Sequence, residues 1–477
     1  MCSSLWEDTL TDVARRSAIE AVSRLRSSVA GMVVVPGDPE YDEARHVWNG
    51  MIERRPMAIV RAAGTDDIVP VLRIARELGL PLAIRGGGHN VAGNGTVDDG
   101  LVLDLGNLRR VEVDTETRLV TVEPGVTLAD LDRATEPHGL AVPIGVVSAT
   151  GIAGLTLGGG VGWLTRTYGL TVDNLRAASV ITARGDHLPA SATDNADLFW
   201  GLRGGGGNFG VASSFTFQAY LQGPEVFAGT FIYELPRWTA ALRALAAWAR
   251  DVPPEINPLV TFMVPPPAWE LGDRVLMFLG FAWAGADHPS AERVVAALRA
   301  AAKPDVEVLE PTRWLAWQSA FDDLLPKGVR AYWKNASFDR LDEGLIETIV
   351  DRAGAQTWYG TAADLHLMGG TFGSVAEDAT AFPNRSAEYW LNIYGFWGDA
   401  ADDPARVAWV RGFAAATAPH AMIGQYVNFL GDEGPKADAH QQAVAAYGPA
   451  KLERLVALKR KYDPDNLFRL NHNIPTG

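Results

Sequence analysis

Cysteine is almost absent from this chain of 477 residues, in which Cys2 is the single thiol. One cysteine excludes an intrachain disulfide framework and a cysteine-based metal site, and no other metal-ligand motif is found. Residues 1–22 lack the apolar core of a signal peptide and carry acidic residues near their start. The sequence therefore predicts a protein of a reducing compartment, and we expect it to be cytoplasmic.

Long hydrophobic runs and an excess of positive charge are also lacking. The longest apolar run, residues 275–286, contains two glycines and falls well short of the ~18 to 20 residues that a membrane-spanning helix needs. We interpret it as a buried strand and expect no membrane association. The 42 Lys and Arg residues against 57 Asp and Glu residues give a net charge of −15, which argues against nucleic acid as the main ligand.

Several well-known catalytic motifs are missing as well. The chain has no Walker loop, no H-E-x-x-H motif and no G-x-S-x-G motif, so P-loop, zinc-protease and serine-hydrolase mechanisms have no sequence basis. Gly205, Gly207 and Gly210 satisfy the G-x-G-x-x-G pattern, but the residues that follow are typical of a strand. A dinucleotide-binding fingerprint must begin a helix, which excludes the Rossmann fold.

Glycine, by contrast, is abundant, and much of it lies in three clusters at residues 84–93, 151–163 and 203–210. Consecutive glycines allow successive backbone N–H groups to converge into an anion-binding concavity, and Arg85 adds a positive charge. A diphosphate would suit such a cradle, and three clusters are enough to surround a large cofactor. The alternative is that the glycines serve only tight turns and close packing.

Hydrophobic patterning divides the chain into two parts. Residues 56–122 alternate short β-rich runs with one helix at 66–78, which is typical of a mixed α/β module. From about residue 225 the pattern changes to apolar and aromatic strands separated by Ala-rich helices. The other predicted elements are helices at 7–26, 127–136, 239–250, 291–302, 404–416 and 441–461, a long loop at 138–162 and a strand at 211–218.

Four motifs together resemble a known family. The segments IRGGGHNVAG, VPIGVVSATGIAGLTLGGGVGWLTRTYGLTVDNL, LFWGLRGGGGNFGVASSF and YDPDNLFRLNHNIP resemble FAD-linked oxidases of the berberine bridge enzyme-like group. The resemblance implies a vanillyl-alcohol-oxidase-type fold, an α+β two-domain flavoprotein with an antiparallel sheet flanked by helices. It also implies an FAD-binding domain of residues 1–222, a substrate domain of residues 223–440, and a return of residues 441–477 to the FAD-binding domain.

The resemblance implies a covalent flavin. In such proteins the histidine of the R-G-G-G-H motif is bonded to the 8α carbon of FAD, which points to His89, although a histidine that only hydrogen-bonds the cofactor is the alternative. A neutral imidazole is a nucleophile near pH 7, which suits this role. Many relatives add a second bond through a cysteine, but Val147 stands at that position, so we predict a single link.

The family also suggests an oxygen-access position and a wider set of FAD contacts. Thr150 stands where relatives carry a residue thought to gate oxygen, and its size, close to that of valine, favours an oxidase. The FAD-binding residues carried over in this way are Arg85, Gly86, Gly87, Gly88, His89, Asn90, Gly93, Val147, Ser148, Thr150, Gly151, Gly154, Gly158, Gly159, Gly160, Gly162, Asn208, Gly210, Val211, Asn471 and Asn473.

For catalysis, the run 424–429 resembles the family's Y-x-N motif. We predict a strand there, with Tyr426 and Asn428 on one face and Tyr426 as the catalytic base, unless it only packs against substrate. A phenol of pKa ~10 would need a nearby cation or hydrogen bonds to its anion to act as a base. On a second predicted strand, at 363–368, Asp364 and His366 share a face that is expected to point at the substrate.

The strand predicted at 389–397 places Trp390, Asn392, Tyr394 and Phe396 on one face, where they either line an aromatic pocket or pack in the core. The resemblance implies that a substrate C–H gives a hydride to FAD, with O₂ as acceptor and H₂O₂ as product. The aromatic strands favour a small aromatic or alkaloid-like substrate. The alternatives are an oligosaccharide oxidase, a dehydrogenase with another acceptor, or a flavin-binding protein without catalysis.

Overall fold

A computed structural model describes residues 12–434 and 438–476 of the chain. Cys2 and the first part of the helix predicted at 7–26 lie outside these described residues. The strands are β1 (Met32–Val34), β2 (Ala58–Arg61), β3 (Leu82–Arg85), β4 (Leu101–Asp104), β5 (Val111–Asp114), β6 (Leu119–Val122), β7 (Leu140–Ala141), β8 (Leu175–Ile181), β9 (His187–Ser191), β10 (Val211–Gln218), β11 (Tyr220–Leu221), β12 (Glu225–Tyr233), β13 (Ile256–Val264), β14 (Leu276–Trp283), β15 (Val306–Arg313), β16 (Arg330–Phe338), β17 (Gly360–Leu367) and β18 (Tyr389–Trp397).

The α-helices are α1 (Asp12–Ser28), α2 (Tyr41–Arg45), α3 (Ile68–Glu77), α4 (Leu128–Thr135), α5 (Ile152–Gly158), α6 (Thr165–Tyr168), α7 (Ala196–Leu202), α8 (Trp238–Trp248), α9 (His288–Ala301), α10 (Trp314–Gln318), α11 (Glu343–Gly354), α12 (Gly370–Ser374), α13 (Asp403–Thr417), α14 (Ala439–Tyr447) and α15 (Pro449–Tyr462). None of the helices within the described ranges is long and apolar enough to cross a membrane.

The first half of the chain builds two larger sheets and a short antiparallel pair of β7 and β11. A four-stranded sheet has the order β1-β2-β4-β3, with β2, β4 and β3 parallel, and a five-stranded antiparallel sheet has the order β5-β6-β10-β8-β9. Helix α3 covers the parallel strands because its apolar residues recur on one face, where Val71, Leu72 and Ala75 are buried. The first glycine segment begins where β3 ends.

The second half is built on a seven-stranded antiparallel sheet with the order β15-β12-β14-β13-β17-β18-β16. The run predicted as a buried strand at 275–286 forms β14, which confirms that prediction. One face of the sheet packs under α8, α9, α11 and α13 in a large hydrophobic core. The structure thus has the predicted α+β class, with an antiparallel sheet flanked by helices.

Alternation along the central strands separates the two faces of this sheet. On β18, Leu391 and Ile393 belong to the core beneath the helices, whereas Asn392 and Tyr394 point to the opposite side and line a cavity. On β17, Leu365 lies in the same core, and Asp364 and His366 line the cavity. The shared faces predicted for both strands are confirmed, because side chains of a strand alternate with a period of two.

The end of the chain returns to the first half of the molecule. Leu455 of α15 packs with Phe209 in the core of the five-stranded sheet, and Phe468 packs in the core of the four-stranded sheet. Lys459 and Asp463 form a fully buried ion pair of 2.7 Å within this segment. The Lys459 Nζ group also donates to the Asn208 carbonyl oxygen at 2.9 Å, which ties the chain end to the third glycine segment.

Three local predictions are wrong. The loop predicted at 138–162 contains β7 and helix α5, and the helix predicted at 441–461 is two helices, because Gly448 adopts φ +73° and Pro449 starts α15. Residues 424–429 form no strand; a 3₁₀ turn spans Val427–Phe429. The Asn335 side chain accepts from the Tyr426 N–H and donates to the Tyr426 carbonyl, so it replaces a neighbouring strand as hydrogen-bond partner.

Candidate active site

A deep cavity lies where the three glycine segments meet the open face of the seven-stranded sheet. Its walls come from both halves of the chain, including the 3₁₀ turn at Val427–Phe429 and the chain end. The lining from the sheet, from the loop before β16 and from the turn with the residue before it comprises Leu325, Trp333, Asp364, His366, Asn392, Tyr394, Phe396, Tyr426, Val427, Asn428 and Phe429.

The first glycine segment packs directly on the start of the second. A Cβ atom built on Gly87 would lie 2.5 Å from the Gly151 nitrogen, so neither position has room for a side chain. Arg85 is buried and pairs with Asp104 on the neighbouring strand at 2.8 Å, which leaves its Nη1 atom without a partner among the described residues. The positive charge of Arg85, which was predicted to meet a phosphate, is therefore partly balanced by the Asp104 carboxylate.

His89 faces the cavity with its imidazole held by a tryptophan. The rings of Trp48 and His89 stack with centroids 4.5 Å apart and an angle of 20°. Trp48 is itself held by a hydrogen bond from its Nε1 to the Leu325 carbonyl at 3.1 Å. Burial lowers the pKa of His89 to about 4, so the ring is neutral at pH 7. Its buried Nε2 atom has no partner within the described part of the chain.

The chain end closes the cavity against the third glycine segment. The Asn471 amide donates to the Gly207 carbonyl at 2.7 Å, and the Asn208 amide donates to the carbonyls of Gly205 and His472. Burial lowers the pKa of His472 to about 4, and its Nε2 atom is buried without a partner in the described ranges. Neutral amide and imidazole groups thus line this wall.

Asp364 is the centre of a hydrogen-bond network on the open face of the sheet. Thr261 on β13 donates to its Oδ1 atom at 2.7 Å, and the Tyr394 hydroxyl on β18 donates to its Oδ2 atom. Burial raises the pKa of Asp364 to about 6, against the opposing effect of these two donors. The carboxyl group is therefore largely ionised at pH 7 and titrates close to neutrality.

Tyr426 has a different environment. Its hydroxyl oxygen accepts hydrogen bonds from the Gly160 N–H at 2.9 Å and from the Asn428 amide at 3.1 Å. Tyr426 and Asn428 therefore meet as expected, although the backbone between them is a turn and no strand. Burial raises the pKa of Tyr426 to about 12, despite the two donors, so the side chain is a neutral phenol at pH 7.

Comparison with known proteins decides the family. Residues 56–191 match the FAD binding domain family, and residues 425–475 match the family described as berberine and berberine like. An FAD-linked oxidoreductase of Dictyostelium discoideum is 30% identical over 462 residues, which cover 96% of this chain and 97% of that protein. The chain belongs to the FAD-linked oxidoreductases of the berberine bridge enzyme-like family.

Two further proteins to which this oxidoreductase is similar are an oxidase related in sequence and an oxidase related in fold. The (R)-6-hydroxynicotine oxidase of Paenarthrobacter nicotinovorans is 29% identical, with 94% of this chain and 97% of that protein covered. The structure of a xylooligosaccharide oxidase from Myceliophthora thermophila superimposes with a TM-score of 0.83 at 23% identity, covering 96% of this chain and 99% of that chain. This second likeness shows the fold alone.

Most of the residues predicted for the site of this oxidoreductase meet in the cavity. Those lining it are Arg85, Gly86, Gly87, Gly88, His89, Asn90, Val147, Thr150, Gly151, Gly154, Gly158, Asn208, Gly210, Val211, His366, Tyr426, Asn428 and Asn471. The predicted residues outside its described lining are Gly93, Ser148, Gly159, Gly160, Gly162 and Asn473. Among these, the Ser148 N–H donates to Asp322, Gly93 packs against Ile52, and Gly160 supports Tyr426.

Four further lining residues were expected only in part: Asp364 shares the face predicted to point at the substrate, and Asn392, Tyr394 and Phe396 were expected either to line a pocket or to pack in the core. Asp364, Asn392, Tyr394 and Phe396 share faces that alternation does identify, but the sequence does not show whether such a face meets a cavity or a core. Trp333, which lines the cavity, and Trp48, which stacks on His89 behind it, carry no motif at all. Their contacts join segments far apart in the chain, so only the folded structure reveals them.

The cavity fits the flavin that the family binds. The buried Nε2 atoms of His89 and His472 and the Nη1 atom of Arg85 are polar groups left for a ligand. The close approach of Gly87 and Gly151 builds a side-chain-free cradle beside them. The described residues include no cluster of His, Cys, Asp or Glu that would hold a metal ion.

Proposed function

We propose that this oxidoreductase oxidises a small organic substrate by taking a hydride from one of its C–H bonds, with FAD bonded covalently to His89 and O₂ as the final acceptor. The observation that carries the proposal is one cavity that has the half-buried His89 imidazole, with its buried Nε2 atom, at one wall and the Asp364 carboxyl group with its aromatic neighbours at another.

The glycine segments, His89 and the chain end would hold the cofactor. The neutral imidazole supports a covalent link, and the absence of a cysteine at Val147 supports a link through one residue only. Bound FAD would supply the hydride acceptor and a path for two electrons to O₂, giving H₂O₂. Thr150 lines the cavity, and its small side chain leaves space that favours access by O₂.

We assign proton acceptance to Asp364 in place of Tyr426. A base must be deprotonated at the working pH, and the Asp364 carboxyl group meets this condition whereas the buried Tyr426 phenol does not. Tyr426 would instead hold its proton and donate a hydrogen bond to the substrate, because its oxygen already accepts from Gly160 and Asn428. Tyr394 would orient the Asp364 carboxylate.

Anaerobic reduction of the flavin tests this assignment. Substrates are screened by bleaching of the flavin absorbance in a panel of amines, phenols, alcohols and oligosaccharides. With any substrate found, Asp364→Asn should slow reduction by about 10²- to 10⁴-fold, the contribution of a general base. Tyr426→Phe should slow it by a much smaller factor. Glu310→Gln, on the exposed strand β15, is the matched control and should behave as wild type.

The result that would overturn the assignment is the reverse order, in which Tyr426→Phe slows flavin reduction more than Asp364→Asn does.

A carbohydrate oxidase is the second candidate function. The rings of Trp333 and Phe396 would allow stacking of a sugar, and the xylooligosaccharide oxidase shares the fold. Bleaching by oligosaccharides alone in the same panel would favour it.

A further inference from the structure

Among the described residues, the Asp364 carboxylate has no cationic partner. Its two oxygens accept from the neutral hydroxyls of Thr261 and Tyr394. Among the described residues, no lysine, arginine or histidine nitrogen lies within ion-pair distance of it, and no positive charge contributes to its ionisation. Buried charges in proteins are normally paired, so an unpaired carboxylate that opens into a binding cavity suits a ligand of positive charge.

The remaining groups near Asp364 are neutral. His366, two residues further along β17, has its pKa lowered by burial to about 4, and its Nε2 atom is buried without a partner in the described ranges. Asn392 lies opposite Asp364 on the neighbouring strand β18. Its buried Oδ1 atom also has no hydrogen-bond partner among the described residues. The Asn392 Oδ1 atom offers an acceptor to a ligand N–H, and neither group supplies a competing cation.

Aromatic rings surround the same part of the cavity. Trp333 and Phe396 meet edge to face with centroids 6.1 Å apart, Tyr394 lies 5.6 Å from Trp333, and Phe429 lies 5.7 Å from Trp333 on another side. Aromatic faces attract cations, most strongly where water is excluded. Proteins bind an ammonium group through a carboxylate, which pairs with its charge, and through aromatic rings, whose faces attract it.

We propose that the substrate is a cationic amine whose ammonium group pairs with Asp364 inside this aromatic cluster. The inference rests on the proposed function and narrows its substrate class. The bound ammonium would give its N–H proton to the Asp364 carboxylate as a hydride leaves the adjacent carbon for FAD. The product is then the iminium ion, and O₂ takes up the two electrons with two protons to give H₂O₂.

A neutral substrate would leave the carboxylate in the cavity without a partner. A sugar hydroxyl would give the Asp364 carboxylate another neutral donor like Thr261 and Tyr394, whereas an ammonium group adds both a hydrogen bond and the positive charge that balances the carboxylate. The structure therefore favours amines over alcohols and sugars of similar size.

Binding of non-reactive cations tests the proposal separately from catalysis. Flavin absorbance is titrated with tetramethylammonium and benzyltrimethylammonium, which have no N–H proton to transfer, and with benzyl alcohol as the neutral comparison. We expect wild-type protein to bind benzyltrimethylammonium at least about tenfold more tightly than benzyl alcohol. In Asp364→Asn this preference should disappear, since a hydrogen bond or pair to a charged group is worth about a factor of ten or more.

Two further variants show whether misfolding explains a loss of the preference for the cation in Asp364→Asn. Asp364→Glu keeps the charge and should keep the preference for the cation, and Glu310→Gln, which removes an exposed carboxylate, should leave it unchanged. Both must contain as much flavin as wild type. The proposal is overturned if neither cation binds, if benzyl alcohol binds as tightly as the cation, or if the preference survives in Asp364→Asn.

Failure of this inference differs from failure of the proposed function. If alcohols or oligosaccharides bleach the flavin under anaerobic conditions and N-methylbenzylamine and other amines do not, the oxidase function stands and the amine class is wrong. If the purified protein holds no flavin, the proposed function itself is wrong.

Discussion

At the scale of single residues, the surroundings decide chemistry more than the residue type. Tyr426 and Asp364 line the same cavity, and burial raises the pKa of both groups. The effect is that only Asp364 can accept a proton as a base at pH 7. Burial raises the pKa of Tyr426 to about 12, far above neutrality, and that of Asp364 to about 6, just below it. Sequence motifs identify Tyr426, but they carry no information on this difference.

The pKa of Asp364 predicts a pH dependence. Because the pKa is raised to about 6, the carboxylate is present above pH 6 and is lost as the pH falls through that value. The second-order rate constant of anaerobic flavin reduction, measured at low substrate concentration so that it reports the free protein, should therefore fall about tenfold per pH unit below pH 6. His366, with a pKa of about 4, stays neutral across this window. A flat profile from pH 5 to 8, or the same inflection in Asp364→Asn, would contradict this role.

Trp48 offers a second test at this scale. Its ring stacks on His89 and fixes the orientation of the imidazole that we propose bonds FAD. An aromatic pair of this kind is worth about 0.5–1.5 kcal/mol beyond its buried area. Trp48→Phe should keep the fraction of flavin that resists acid, and Trp48→Ala should lower it. Total flavin before acid treatment is the control, and a wild-type acid-stable fraction in Trp48→Ala would refute the role.

At the scale of secondary structure, alternation and periodicity predict most elements. The strand at 389–397 and the buried run at 275–286 were identified because each needs only its own sequence pattern. The turn at Val427–Phe429 was missed because its backbone partner is the side chain of Asn335, which is distant in the sequence. Local patterns do not contain such long-range hydrogen bonds.

Helix α15 makes a testable contribution to stability through Lys459. Burial lowers the pKa of Lys459, and its charge is balanced by Asp463 and by two carbonyl oxygens. Lys459→Met leaves Asp463 buried without its partner, which typically costs about 3–5 kcal/mol of the free energy of unfolding. The midpoint of thermal unfolding should therefore fall clearly, as measured by circular dichroism.

The control for this prediction lies two residues further along the same helix. Lys461 pairs with Asp197 at 2.6 Å, but more than half of its side chain is exposed. Lys461→Met should cost no more than about 1 kcal/mol, because exposed ion pairs contribute little. Equal losses of stability in the two variants would show that the buried pair has no special role.

At the scale of the whole molecule, the site is assembled from distant parts of the chain. Asn49 donates from one amide to the carbonyls of Val91 in the first glycine segment and Ala331 in the seven-stranded sheet, at 2.7 and 2.8 Å. The chain end meets the third glycine segment through Asn471 and Lys459. The glycine clusters and the family resemblance predicted the residues of the wall that we propose holds FAD, whereas the wall that we propose meets the substrate depends on how the seven-stranded sheet is placed against it.

The absorbance spectrum of the purified protein before and after acid precipitation tests the central claim, FAD bonded through His89 in this cavity. The account predicts a yellow protein whose flavin stays with the precipitate in wild type and moves to the supernatant in His89→Ala. Flavin released from the wild-type protein by acid would contradict the covalent link, and a protein without any flavin would contradict the proposed function as a whole.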